Sequence, residues 1–171
     1  MATEKSIVWR DQAAYLNDTM YVGRINQGSC DITRKTVSLG GIGGAGNVDV
    51  PNGKFEPIKA TVVFNSLSVN DVRTMSKNDG YIELRLTGTA RVLDTSTGTR
   101  VVSNATTRIK GWALNLPNPA YGDDPQPYNV SISVLFIEVS DGNGTALLID
   151  MANGIVEPND NSGSVGVTVT L

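Results

Sequence analysis

Tyr81-Ile82-Glu83-Leu84-Arg85-Leu86-Thr87 alternates between water-seeking and water-avoiding side chains from Ile82 onward. On extended chain successive side chains point to opposite faces, so Ile82, Leu84 and Leu86 share one face while Glu83, Arg85 and Thr87 share the other. The stretch reads as a half-buried β-strand, and the rest of the chain extends that reading. Downstream, Gly88–Leu93 and Arg100–Leu116 read as strands on either side of the polar turn Asp94–Thr99. Val130, Ile132 and Val134 alternate with Ser131 and Ser133, and the strand then turns apolar on both faces through Leu135, Phe136 and Ile137. That change predicts a strand covered from both sides. Asp141-Gly142-Asn143-Gly144 is built from residues that tolerate positive φ, so it predicts a hairpin turn into Thr145–Met151.

Upstream, Tyr15–Arg24, Ile32–Leu39 and Lys59–Asn65 read as further strands, and Val165–Leu171 as a last one. One helix is predicted, over about 68–77. Ser68 caps it, Asp71 lies at its positive end, and Val72 and Met75 fall at helical spacing. The expected architecture is a mainly β, antiparallel sandwich or barrel over residues 1–171, with one short flanking helix and long extended arm loops.

Two segments exceed what connecting strands requires. Residues 39–53 hold Gly40, Gly41, Gly43, Gly44, Gly46 and Gly53, which predicts a flexible arm; 116–127 holds Pro117, Pro119, Pro125 and Pro127, which predicts a stiffer loop. Loops of such length are usually functional or disordered.

The 171 residues suffice for one domain with a core of its own, and 40% hydrophobic with 18% charged residues is a globular balance. A net charge of −3 argues against a dedicated nucleic-acid binder. Residues 1–110 carry all 14 Lys and Arg against ten acids, whereas 111–171 carry seven acids and no cation. Either the acidic part is a solvated surface, or the two parts line surfaces that attract each other on neighbouring copies. Cys30 has no internal partner, no apolar run approaches the length of a membrane span, and Met1–Arg10 lacks the apolar segment of a secretion signal, so synthesis in the cytoplasm is expected.

Histidine is absent, which removes the commonest general base and metal ligand. Adjacent Asp123 and Asp124 point apart on extended chain and make a poor acid/base pair. Gly41-Ile42-Gly43-Gly44-Ala45-Gly46 matches a dinucleotide-binding pattern in letters only, since the extended Asn47-Val48-Asp49-Val50-Pro51 follows where a phosphate-binding helix is needed. Asp141-Gly142-Asn143-Gly144 lacks the closing Glu of a calcium loop. No enzyme, cofactor or metal is expected.

Several stretches occur together in a meaningful order. They are Tyr15-Leu16-Asn17-Asp18-Thr19-Met20-Tyr21-Val22-Gly23, Ile32-Thr33-Arg34-Lys35-Thr36, Gly43-Gly44-Ala45-Gly46 and Val48-Asp49-Val50. Gly53-Lys54-Phe55-Glu56-Pro57 then leads into Ala60-Thr61-Val62-Val63-Phe64, and Leu148–Glu157 carries a late Ile149-Asp150 turn. Over residues 14–160 the chain resembles the major tail tube proteins of contractile-tailed bacteriophages.

The resemblance implies a virion subunit that forms hexameric rings by sheet extension, with the rings stacked into a hollow tube. It implies an inter-ring arm containing Gly40, Gly41, Gly43, Gly44 and Gly46. The implied partners are other copies, a contractile tail sheath protein, a tape-measure protein, baseplate and tail terminator proteins, and DNA in non-specific transit during ejection. Asp123, Asp124, Glu138, Asp141 and Asp150 are then candidates for an acidic lumen that repels phosphates, although loop acids near Asp123 fit the sheath side equally. A contractile bacteriocin or type VI-like injection tube shares this subunit physics. A ligand-binding β-sandwich module is a more distant reading, since Trp9 and Trp112 are the chain's two tryptophans and Trp112 lies in an apolar strand.

Overall fold

The computed structural model describes residues 5–21, 24–40, 46–94, 98, 100–116 and 127–158. The protein is mainly β, antiparallel throughout, with one short α-helix. Its centre is a meander of three long strands, β7 (Tyr81–Asp94), β8 (Arg100–Ala113) and β9 (Tyr128–Asp141). The strand β1 (Lys5–Leu16) flanks β7, with β2 (Thr19–Met20) beside its end. Beyond β9 lie β10 (Gly144–Asp150) and β11 (Ile155–Glu157). The strands β3 (Ile25–Asp31) and β6 (Lys59–Phe64) form the second layer, with β6 joined to the first half of β9.

The strand β9 makes this folding-over possible. Along one edge it pairs with β6 through Tyr128–Ser133 and then with β10 from Phe136 onward. Between these partners its register with β8 slips: Gly111 opposes Val134 while Lys110 opposes Phe136, leaving Leu135 as an extra residue. A bulge of this kind bends the strand and shifts the phase of its side chains by one. Val130, Ile132 and Val134 therefore point inward before the bulge, and Ile137 does so after it. The apolar run at Leu135–Ile137 is a phase shift, not the two-sided coverage that the alternation predicts. Gly111 is required at this corner, since a Cβ there would lie 2.0 Å from the Ser133 carbonyl oxygen.

Between the layers, Leu16, Ile58, Val62, Phe64, Ile82, Leu84, Ile109, Ile132, Ile137 and Ile149 form one continuous buried cluster. Full burial of each such side chain contributes about 1.5–3 kcal/mol. The second layer lies close over the first at Gly28, where a Cβ would meet Leu86 Cδ1 at 2.8 Å. The strand β3, Ile-Asn-Gln-Gly-Ser-Cys-Asp, has too little apolar content to read as a strand, and its pairing with β6 makes it one.

Three further outcomes differ in extent from expectation. The first strand starts at Lys5, ten residues before Tyr15, because it follows β7 out to Asp94. Gly88 does not divide β7, which pairs in unbroken register with β8, although its register with β1 shifts between Thr87 and Thr89. The arm is a paired ribbon of β4 (Arg34–Leu39) and β5 (Val48–Phe55), separate from the main sheet among the described residues. The expected strand Val165–Leu171 and loop residues 117–126 lie outside the described residues.

The helix α1 (Val69–Ser76) forms where Ser68 and Asp71 predict it. Ser68 Oγ accepts from the Asp71 N–H, and Asp71 Oδ2 accepts from the Ser68 N–H at 2.7 Å, a reciprocal capping box. Met75 anchors the helix in the core.

Candidate assembly surfaces

The surfaces available for joining other chains begin with strand edges. Apart from its short pairing with β2, β1 has no partner on the side away from β7 among the described residues, and β11 ends the sheet opposite. Among the described residues β3 pairs on one side alone. Unpaired strand edges present rows of backbone donors and acceptors that template the addition of further strands.

The ribbon is the second surface. Its register places Val37 opposite Val50 and Leu39 opposite Val48. Directly opposed residues share a face, as do residues two apart, so the four aliphatic side chains lie together. All four are between 39 % and 64 % exposed. Gly40 follows β4 directly, close to the Asn47 side chain, and a Cβ at Gly46 would meet nothing within 4 Å. Gly41, Gly43 and Gly44 lie outside the described residues.

The third surface is the outer face of the long sheet. Tyr15, Arg85, Arg108, Glu138 and Leu148 form one row across five strands. In the next row Glu83 pairs with Arg108 at 3.0 Å and Lys110 at 3.6 Å, and Lys110 Nζ lies 5.4 Å from the Phe136 ring centroid. Arg85 stacks over Tyr15 at 4.4 Å. The sequence separates cations from the acidic C-terminal third, but the fold interleaves them on this face, with Glu138 directly opposite Arg108.

Two other candidate lumen acids, Asp141 and Asp150, accept local hydrogen bonds. Asp141 Oδ1 accepts from the Asn143 N–H at 2.8 Å within the hairpin turn. Asp150 accepts from the Ala152 and Asn153 N–H groups and from Asn153 Nδ2. Asn153 is the chief reason that its pKa is lowered. Asp123 and Asp124 lie outside the described residues.

A buried polar cluster that sequence reading missed ties α1 to the β2–β3 connection. The Tyr21 hydroxyl donates to Asp71 Oδ1 at 2.8 Å, and Arg24 forms an ion pair with Oδ2. The Arg24 guanidinium also sits over the Tyr21 ring at 4.9 Å and donates to the Ser66 carbonyl. Burial works to raise the Asp71 pKa but is outweighed by hydrogen bonds from Ser68, Tyr21 and Arg24, which hold it at about 2. Burial and the Asp71 contact push Tyr21 to about 12. Asp71 was legible as an acid at the positive end of the helix; its distant partners were not.

A cavity of about 310 Å³ lies between β1, β3, β7 and β8, lined by neutral residues including Gln12, Tyr21, Gln27, Gly28, Leu86 and Ala105. Its lining carries no acid, base, Cys or His. Among the described residues no cluster of His, Cys, Asp and Glu suits a metal ion, and no helix is long and apolar enough to cross a membrane.

Open edges, a projecting ribbon and a charged sheet face define a structural subunit made to join other subunits. The family model for phage tail tube protein FII matches residues 9–162, and the chain belongs to that family. It is therefore a tail tube structural protein and a virion component, of a family that assembles into a tube and associates with other tail components. No curated relative matches the chain.

Proposed function

We propose that the chain forms hexameric rings that stack into the hollow conduit of a contractile phage tail, through which DNA is ejected into the host. The observation carrying this reading is the pair of open edges among the described residues, β1 beyond its short pairing with β2 at one end of the sheet and β11 at the other. Unlike edges join head to tail, and a head-to-tail contact generates a ring when its rotation closes. The β4–β5 ribbon, bearing Gly40 and Gly46 at its end, then spans from one ring to the next.

In this arrangement the tube lies inside the contractile sheath and around the tape-measure protein, with baseplate and terminator proteins at its ends. Acids among Asp123, Asp124, Glu138, Asp141 and Asp150 give the lumen a phosphate-repelling potential, so DNA passes without lasting contacts. One domain over 1–171 suffices for the subunit, with no catalytic step and no cofactor.

Negative-stain electron microscopy of the purified chain tests the proposal. Rings of six or hollow tubes are expected as concentration rises. A monomer at every concentration and salt, with the fold intact, overturns it.

A further inference from the structure

Charge divides the outer face of the long sheet along its strand order. Directly opposed residues share a face, and so do residues two apart on one strand. The register therefore places Arg10 of β1, Arg85 and Arg91 of β7, and Arg100, Arg108 and Lys110 of β8 on the outer face. One acid among the described side chains of these three strands, Glu83, shares that face. Over β9, β10 and β11 the same face carries Glu138, Asp150 and Glu157, in a part of the chain that has no Lys or Arg. The two halves meet where Glu138 lies opposite Arg108.

The basic half holds more charge than it pairs. Glu83 serves Arg108 and Lys110, and no described acid pairs with Arg10, Arg85 or Arg91. Arg85 lies directly opposite Arg108, and like charges so placed are destabilising by themselves. The buried Nε atoms of Arg85 and Arg91 have no hydrogen-bond partner among the described residues. At the other edge Glu157 is exposed, and no described cation pairs with it.

We propose that this division sets how copies join: the acidic β11 edge of one copy docks on the basic β1 edge of a second, with Glu157 facing Arg10. This rests on the ring reading above and names the charged contact that gives the joint its polarity. Strand direction agrees with it. The path β11-β10-β9-β8-β7-β1 has six strands, each antiparallel to the next, so β11 of one copy meets β1 of a like-oriented copy in antiparallel fashion. The short β2 covers β1 at Tyr15 and Leu16 alone, and Arg10 is an exposed cation on the stretch left open. Two like edges would set cations on cations or acids on acids. The division therefore disfavours a two-fold dimer and leaves the head-to-tail contact that a ring needs. An exposed ion pair adds little affinity, so backbone pairing and packing supply the strength while charge selects the edge.

Charge exchange in the full chain tests the contact, with rings counted by electron microscopy over a range of concentrations. Arg10→Glu and Glu157→Arg each put like charges at every joint, so either variant is expected to need at least about ten-fold more protein than the parent to form rings. The double exchange restores unlike charges at every joint and should form rings within about three-fold of the parent's concentration. Both positions are exposed, so the parent's circular dichroism is expected in all three variants. Single reversals that assemble like the parent, or a double exchange no better than the singles, overturn the inference and leave the tube reading standing. Retention of duplex DNA by the parent that Arg10→Glu abolishes without changing the rings also overturns it, and assigns the basic half to phosphates. If the parent forms no rings at any concentration, the tube reading fails, and this inference with it.

Discussion

Tyr21 donates its hydroxyl proton to Asp71 Oδ1 at 2.8 Å, across fifty positions of sequence. Asp71 is at once the capping-box residue of α1, the acceptor of Tyr21 and the ion-pair partner of Arg24. One carboxylate therefore fixes where the helix starts and how the chain leaving β2 packs against it.

Tyr21→Phe removes one bond and leaves the ring packed on Phe64, so it is expected to cost about 1–2 kcal/mol in urea unfolding. Asp71→Asn disturbs the cap and the ion pair together and is expected to cost about 3 kcal/mol. In a double-mutant cycle the two changes should couple by about 1 kcal/mol, because they share a contact. Strict additivity would show that the Tyr21–Asp71 bond contributes nothing.

The same carboxylate makes stability depend on acid. Its folded pKa of about 2 lies below the ordinary value of 3.8, so its contribution is full above pH 3.8 and is lost as pH falls toward 2. The lost part amounts to about 2 kcal/mol. Unfolding free energy measured between pH 5 and 2 should fall less steeply in Asp71→Asn than in the parent. Parallel curves would remove Asp71 from the account.

Gly111→Ala drives a methyl group into the Ser133 carbonyl at the β9 corner, where rigid backbone cannot yield. A loss of more than about 4 kcal/mol, or no folded protein, is expected. Gly142→Ala in the hairpin turn meets nothing within 4 Å and should stay within about 0.5 kcal/mol. Equal thermal midpoints for the two variants would contradict the close approach at Gly111.

Deleting residues 40–47 shortens the ribbon without touching the core cluster. The expected product is a folded subunit, with the parent's circular dichroism, that forms rings but no long tubes. Tubes of normal length would deny the arm a part in stacking.

Reversing charge probes the lumen assignment. Asp141 and Asp150 hold turns, so Glu138→Lys and the pair Asp123→Lys with Asp124→Lys are the cleaner substitutions. Normal tubes with slowed DNA delivery are expected, since each added cation creates a phosphate contact. Normal delivery refutes the lumen role for these acids, and failed assembly places them at subunit contacts.

Much of the fold was legible locally. The period-two alternation of Ile82, Leu84 and Leu86 follows from pleated geometry, and Ser68 with Asp71 marks a helix start because backbone N–H groups there need acceptors. Less legible were β3 and the first ten residues of β1, whose composition carries no strong period and whose strand form depends on pairing with β6 and β7.

By itself, the sequence determined the β class, the helix, the main turns and the lack of histidine chemistry, because each depends on neighbours a few positions away. Tertiary structure alone decided that Leu135 is a bulge, that Glu138 lies opposite Arg108, and that Val37, Leu39, Val48 and Val50 share an uncovered face. These are properties of register. A shift of one residue between two strands reverses which side chains meet and which face water, and long-range packing sets that shift.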